Sequence, residues 1–337
     1  MSFLAAVIVM ACDGPHTEGE LRALLWSTTN YDKYTRPAVA ALPSGRSAHT
    51  ALPEEVRVQV RVLELAGVDM KQRTIDVVFF LRAAWIDWRL RFNSTAFGGC
   101  WNDSFSAQGA ASFPGTVKHE LWHPDLFIRN MEGEDRDVLQ ESIWLRTDGR
   151  VHLGQRRKVR LSCLMNAEWM PWDAHVCPLE IGTFREGAPE VILGDLDDAG
   201  LVVLRNVDRS LSTWKLTDVP SHLVPPHTTN SADAESSLQM RVLLTRISQP
   251  SLLHGLVPAI ICVFLAWISF FIERTAAPAR VMMTVVALLA ILQTLRATVA
   301  QMPEEMKLSR LEVILWISAV FVCAALVECG LPDPLPR

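Results

Sequence analysis

The tract His119-Glu120-Leu121-Trp122-His123 is the arrangement most able to do chemistry by itself. On an α-helix, H-E-x-x-H puts two imidazoles on one face for zinc and leaves the glutamate as general base. The surrounding residues oppose such a helix. Pro124 follows His123 immediately and pushes it out of the α region, and Pro114-Gly115 breaks the chain just upstream. No clear third ligand follows at metalloprotease spacing. A zinc hydrolase is therefore a distant alternative, and the sequence reads as a protein that is not an enzyme, with no metal and no cofactor.

The second arrangement is covalent. Cys163 and Cys177 lie fourteen positions apart, with Pro171 and Asp173 at the turn between them. A bridge between them would restrict the unfolded chain by roughly 3 kcal/mol on the entropic account. By spacing alone this is an ordinary stapled hairpin of a secreted domain. Of the seven cysteines, Cys12, Cys262, Cys323 and Cys329 fall in apolar segments. Pairing of Cys163 with Cys177 in an oxidising compartment would leave Cys100 as an odd thiol.

These residues need a frame, and the hydropathy pattern supplies two. Half of the 337 residues are hydrophobic, but from Pro250 onward apolar runs dominate, whereas most of the charge lies before Arg246. The net charge of −5 excludes a strongly basic nucleic-acid binder. Residues 1–12 form a candidate signal peptide, too short to span a bilayer. Residues 13–248 read as a β-sandwich. Thr17 and Glu20 form a capping box before a short helix with Leu21, Leu24 and Leu25. Val56, Val58, Val60 and Val62 then alternate with polar residues, as in a half-buried strand. Further strands are expected at Thr74–Leu81, Trp85–Phe92, Val151–Leu161, Val191–Leu193, Leu201–Leu204, Leu211–Asp218 and Leu238–Ile247. Residues 249–337 hold three apolar spans, at about 251–272, 281–302 and 311–331, each close to the ~20 residues that cross a hydrocarbon core. Asn93 and Asn102 each begin a glycosylation sequon.

Several segments resemble the Cys-loop receptors, the pentameric ligand-gated ion channels. The Cys163–Cys177 spacing with Pro171 and Asp173 is similar to their signature loop, although Met170 stands where the family usually has Phe or Tyr. Trp122-His-Pro-Asp125 resembles the W-x-P-D segment of the principal agonist face, and Phe184 matches an aromatic position there. Trp85-Ile-Asp87 resembles the W-x-D core of the complementary strand. Arg82, three residues earlier, matches the arginine that holds the agonist carboxylate in anion-conducting members, a task suited to a guanidinium fork. Thr228 lies in the Pro220–Ser237 loop, where the expected aromatic cage is absent.

Pro278-Ala279-Arg280 resembles the P-A-R that precedes the pore helix of anion-selective members. Counting alternately four and three residues from Met282 gives Val286, Leu289, Gln293, Arg296 and Ala300 on one helix face. An arginine in that stripe should face water or a partner rather than lipid. Leu289 matches the family's gate leucine, while Met282 and Val286 make the cytoplasmic half of the stripe unusually apolar. The resemblance runs from about Thr17 through the third span; family members continue to a fourth.

It implies an all-β extracellular sandwich followed by a helical membrane domain, in a plasma-membrane, multi-pass subunit of a homo- or hetero-pentamer. Its expected partners are a small agonist (amino-acid-like, with a carboxylate), a permeant anion, membrane lipids and other subunits, and no nucleic acid. The alternative is a truncated, non-conducting binding or regulatory subunit.

Overall fold

Burial with a period of two builds the first strand. Val56, Val58 and Val60 are fully buried and Val62 nearly so, and these residues lie in β1, Glu54–Asp69. The computed structural model describes residues 19, 22–23, 25, 31–43, 51–92, 110–133, 138–187, 189–196, 202–203, 210–211, 213–218, 237–273, 276–302 and 308–330. Thr228, Asn93, Asn102 and Cys100 lie outside these residues.

Among the described residues twelve strands follow one another: β1, then β2 (Thr74–Ile86), β3 (Ala110–Pro114), β4 (Leu126–Ile128), β5 (Val138–Arg146), β6 (Arg150–Ser162), β7 (Ala174–Thr183), β8 (Val191–Asp195), β9 (Val202–Val203), β10 (Ser210–Leu211), β11 (Trp214–Asp218) and β12 (Ser237–Arg246). Seven form one sheet in the order β3-β5-β6-β2-β1-β8, with β9 also on β1. Five form the other, in the order β10-β11-β12-β7-β4. Side chains from both sheets meet in one core that includes Phe79, Ile143, Ile181 and Leu244. This is a β-sandwich.

Two expectations are corrected. The strands proposed at Thr74–Leu81 and Trp85–Phe92 are one strand through Ile86, ended by a 3₁₀ turn at Trp88–Leu90. Asp87 caps that turn, accepting from the backbone N–H of Arg89 at 3.1 Å. The strands β3, β4, β5 and β7 were not expected at all. The exposed positions of β7 include Val176, its buried ones include His175, and Pro178 sits mid-strand opposite Arg241. Proline inside a paired strand argues against that strand from sequence alone.

Among the described residues three helices are long and apolar enough to cross a membrane: α1 (Ser248–Phe271), α2 (Ala277–Val299) and α3 (Arg310–Gly330). Helix α1 contains a π-turn at Leu252–Leu256, directly before Pro258. The wider turn lies where the proline ring and its missing N–H disrupt α-helical hydrogen bonding. Small residues (Ala259, Cys262 and Ala266 of α1, Ala287 of α2, Ala319 and Ala325 of α3) share the seam between helices with Ile291, Leu295, Leu311, Leu315 and Val322. Packing of this kind suits apolar surroundings, where close approach replaces the hydrophobic effect. The hydroxyls of Thr294, Thr298 and Ser318 each donate to the carbonyl four residues earlier, so they leave no unmet donor.

The sandwich meets the helices through the disulfide loop. Cys163, just after β6, is bridged to Cys177 in β7, with Cα atoms 5.1 Å apart. At the loop tip Ala167 and Met170 are buried with Ala259, Leu295, Met302, Leu311 and Leu315. The Arg310 N–H donates to the Glu168 carbonyl at 3.0 Å, and its guanidinium lies 3.3 Å from the Trp169 ring centroid. Ser309 and Glu312 then cap α3 reciprocally, through N–H contacts of 2.7 and 3.2 Å.

Inside the loop Asp173 is buried and holds two partners, Arg246 and His175. Arg246 approaches it with Nε at 2.5 Å from Oδ1 and a second nitrogen at 3.0 Å from Oδ2. His175 Nε2 lies 2.7 Å from Oδ2. The Arg246 guanidinium also stacks 4.2 Å over the Trp214 ring. Burial alone would raise the Asp173 carboxyl, but the hydrogen bonds from His175 and Arg246 outweigh it and hold the group below the usual carboxylate range. A depressed folded-state value stabilises the fold above the ordinary carboxylate range. That contribution disappears as pH falls through the lowered value. Asp173→Ala should lower thermal stability at neutral pH by about 3–5 kcal/mol, because it strands a buried guanidinium. The loss relative to the parent should shrink as the melt is repeated below about pH 4. A pH-independent difference would remove the ion pair as its cause.

Candidate functional site

Arg82 sits on β2 with its side chain exposed on the face opposite the core. Across the sheet it pairs with Gln59 of β1 and Gly154 of β6. The same face carries Arg57, Arg61, Arg150, Arg156 and Lys158 at alternating strand positions. His152, on this face of β6, is held below its usual range by burial, then by the positive charges of Arg146, Arg150 and Arg82. The potential here favours anions.

Three residues beyond Arg82, Trp85 turns inward, and its ring meets that of Trp122 edge-on at 6.0 Å. Trp122 is only 4% exposed and belongs to the core. Its backbone N–H donates to the Tyr31 hydroxyl at 3.0 Å, which donates in turn to Asp87 at 2.7 Å. Arg89 grips Asp87 through two contacts of 2.8 Å and lies 4.3 Å over the Tyr31 ring. Burial and the Asp87 charge raise the Tyr31 hydroxyl far above its ordinary value, so it stays a protonated donor. Trp122 thus anchors its segment against Trp85 and Tyr31.

Two other aromatic residues of these segments lie outward. Phe184, directly after β7, is 77% exposed, and its ring meets Phe127 of β4 edge-on at 5.7 Å. The Phe184 N–H donates to the Asp125 carbonyl at 3.2 Å, and Arg185 pairs with the Asp125 carboxylate at 3.2 Å. The structure therefore joins the segment after Pro124 to the segment after Cys177. Phe127 was absent from the sequence-based set. Its signal was alternation, since Leu126 and Ile128 on either side are buried and Phe127 must face outward.

The H-E-x-x-H tract has no metalloprotease helix. Gly115–Glu120 is a 3₁₀ helix, and Leu121 is already extended. Lys33 donates to the His119 carbonyl at 2.9 Å, and Glu120 pairs with Arg22.

On α2 the inward face is Thr284, Ala287, Ile291, Leu295 and Thr298. Met282, Val286, Leu289, Gln293, Arg296 and Ala300 are all exposed, on the side away from α1 and α3. Leu288 and Leu292 lie between the two faces. Pro278 and Ala279 are exposed at the helix start. Arg280 is half-buried, and its Nε donates to the Ser269 carbonyl at the end of α1 at 3.1 Å. It is tied back to the bundle rather than free on the stripe.

Comparison with known proteins accounts for both halves. Residues 20–247 match the family described as neurotransmitter-gated ion-channel ligand binding domain, and residues 255–331 the one described as neurotransmitter-gated ion-channel transmembrane region. Human gamma-aminobutyric acid receptor subunit rho-3 is 28% identical over 286 residues, covering 82% of this chain and 57% of the relative. The human rho-2 subunit is 28% identical over 289 residues with the same coverage. The chain spans rather more than half the length of these curated relatives. With the sandwich, the bridged loop on the helices and three apolar spans, these matches make the chain a member of the neurotransmitter-gated ion-channel family, the Cys-loop receptors.

Proposed function

We propose that this chain is a subunit of a pentameric, anion-selective, agonist-gated channel of the plasma membrane, with the sandwich outside. The observation that carries this reading is the face of α2. Val286, Leu289, Gln293 and Arg296 point away from both neighbouring helices. In a five-fold ring that face would surround an axial path. Arg296 would form a ring of positive charge, and Arg280, fixed by the Ser269 carbonyl, would set another at the cytoplasmic mouth. Rings of Arg favour anions, and an apolar constriction at Leu289 closes by dewetting.

Agonist would bind between subunits, with Phe127 and Phe184 on one face and Arg82 of the neighbour on the other. The relatives' names point to an amino acid with a carboxylate, which suits Arg82. Gating is then a population shift: agonist must bind the open arrangement better than the closed one. The disulfide loop would carry that preference to the ends of α2 and α3.

A second reading, a non-conducting binding subunit, draws on Met282 and Val286, which make the exposed face apolar at its cytoplasmic half. Expression alone in oocytes separates the two. The first reading expects currents whose reversal potential follows the chloride gradient and ignores sodium; the second expects agonist binding without current. Leu289→Ser should ease hydration of the constriction and raise spontaneous current, whereas an unaltered resting conductance would remove Leu289 from the gate. For the agonist, Arg82→Ala should weaken binding by about 2–5 kcal/mol if the pair is desolvated. Arg82→Lys should already weaken it, because an ammonium cannot reproduce the fork. An unchanged dose–response curve for both would make Arg82 a surface arginine.

A further inference from the structure

The disulfide loop carries two tryptophans that the rest of the chain leaves uncovered. Met170 and Pro171 are buried at its tip, whereas Trp169 and Trp172 on either side of them are 52% and 58% exposed. The Trp172 N–H donates to the Trp169 carbonyl at 2.8 Å and closes a tight turn with both indoles outside it. Exposure then alternates along the chain through Ala174 and Val176 of β7. An indole is a large apolar surface with a single N–H donor. Two of them exposed on one turn make a surface suited to a partner rather than to bulk water.

The depth of this turn indicates the partner. On its buried side Ala167 and Met170 pack with Leu295, Leu311 and Leu315. Leu295 lies four residues before the end of α2, and Leu315 five residues after the start of α3. At 1.5 Å per residue these contacts reach about 6–8 Å inside the helix ends. Helix α3, with 21 residues, is about 31 Å long, close to the ~30 Å hydrocarbon core of a bilayer. The turn therefore stands where hydrocarbon meets headgroups, on the side of the sandwich. Tryptophan favours that boundary, because its ring is apolar and its N–H polar. A cation accompanies it: the exposed Arg310 guanidinium lies 3.3 Å from the Trp169 ring centroid. Asp173 is engaged by Arg246 and Glu168 is half-buried, so Arg310 is the more exposed charge of the turn.

We propose that Trp169, Trp172 and Arg310 form a lipid-contact surface, seated in the headgroup layer of the phospholipid leaflet on the sandwich side. The indoles lie at the edge of the hydrocarbon, and the guanidinium meets lipid phosphate. The disulfide loop is then held at one depth from two directions, by the three helices on its inner side and by lipid on its outer side. A second copy of the chain is the competing occupant. Lipid is favoured because the indoles flank the very residues that pack against the membrane spans, and because indole beside arginine matches both parts of a phospholipid.

The test places the photoreactive amino acid p-benzoylphenylalanine singly at Trp169, Trp172 or Trp88 of the full chain, purified into phosphatidylcholine nanodiscs. Trp88 is the control. It is 44% exposed and follows the end of β2 remote from the disulfide, about 40 Å away by strand rise. The near end of β2 is fixed by the Cys163 N–H, which donates to the Arg73 carbonyl at 2.8 Å. After irradiation, intact mass should show phosphatidylcholine adducts at positions 169 and 172, about tenfold or more above position 88, as interfacial depth requires. Size exclusion and an intact Cys163–Cys177 bridge report folding of each variant. Fluorescence gives an independent reading. Phosphatidylcholine with a nitroxide on its headgroup should quench the parent more than a variant combining Trp169→Phe and Trp172→Phe.

Chain-to-chain dimers from positions 169 and 172 in place of lipid adducts would make the turn a contact between subunits and overturn the proposal. Lipid yields there no higher than at position 88 would leave the indoles in water and overturn it as well. Equal quenching of the parent and the double variant would contradict the depth assigned to the turn.

Discussion

The buried contact between Asp173 and Arg246 is the constraint on which the arrangement of the two halves depends. Arg246 is the last residue of β12, and α1 begins at Ser248. Asp173 lies inside the disulfide loop whose tip is packed among the three helices. One ion pair therefore fixes where the chain leaves the sandwich relative to where the sandwich presses on the helices. Burying two charges is unfavourable unless geometry and extra hydrogen bonds compensate. Here the fork is two-pronged, His175 takes part in satisfying the carboxylate, and the Trp214 face covers the guanidinium. The disulfide acts differently, by limiting the unfolded chain, so loss of one constraint is not made good by the other.

A second buried carboxylate does the equivalent work between β2 and the segment that begins at Trp122. Asp87 gathers Arg89 and Tyr31, and the Tyr31 hydroxyl accepts from the backbone of Trp122. The first-described sheet face and the W-x-P-D segment are thereby held in one register without either tryptophan reaching solvent. What is left outward is a division of chemistry: guanidiniums on the outer face of β1, β2 and β6, and the Phe127–Phe184 aromatic pair at β4 and the end of β7. Such faces are complementary in kind, one suited to a carboxylate and the other to the rest of an organic ligand.

Much of this was legible in the residues. The valine alternation of β1 and the three apolar spans follow from periodicity and length, because burial on one sheet face or throughout a span imposes them. The stripe from Met282 to Ala300 was legible for the same reason, as helix geometry fixes which side chains share a face. Other features depend on contacts that no local pattern encodes. Strand β7 buries a histidine and exposes a valine because Asp173 and the sheet partner β12, not hydropathy, decide its register. The edge-on packing of Trp122 against Trp85 joins residues 37 positions apart, which no local pattern shows. Arg280 reads as a free charge until the Ser269 carbonyl appears beside it. The Ser309–Glu312 capping box was present in the sequence and went unread, since it follows a short link between two apolar spans.

In the proposed channel the outward face of α2 lines the ion path. Cysteine accessibility tests this most directly. Val286→Cys, Leu289→Cys and Gln293→Cys should react with a charged, membrane-impermeant thiol reagent, above the background of the parent chain. Leu288→Cys and Leu292→Cys should not. Labelling of the second pair in place of the first set would mean that another face of α2 lines the path.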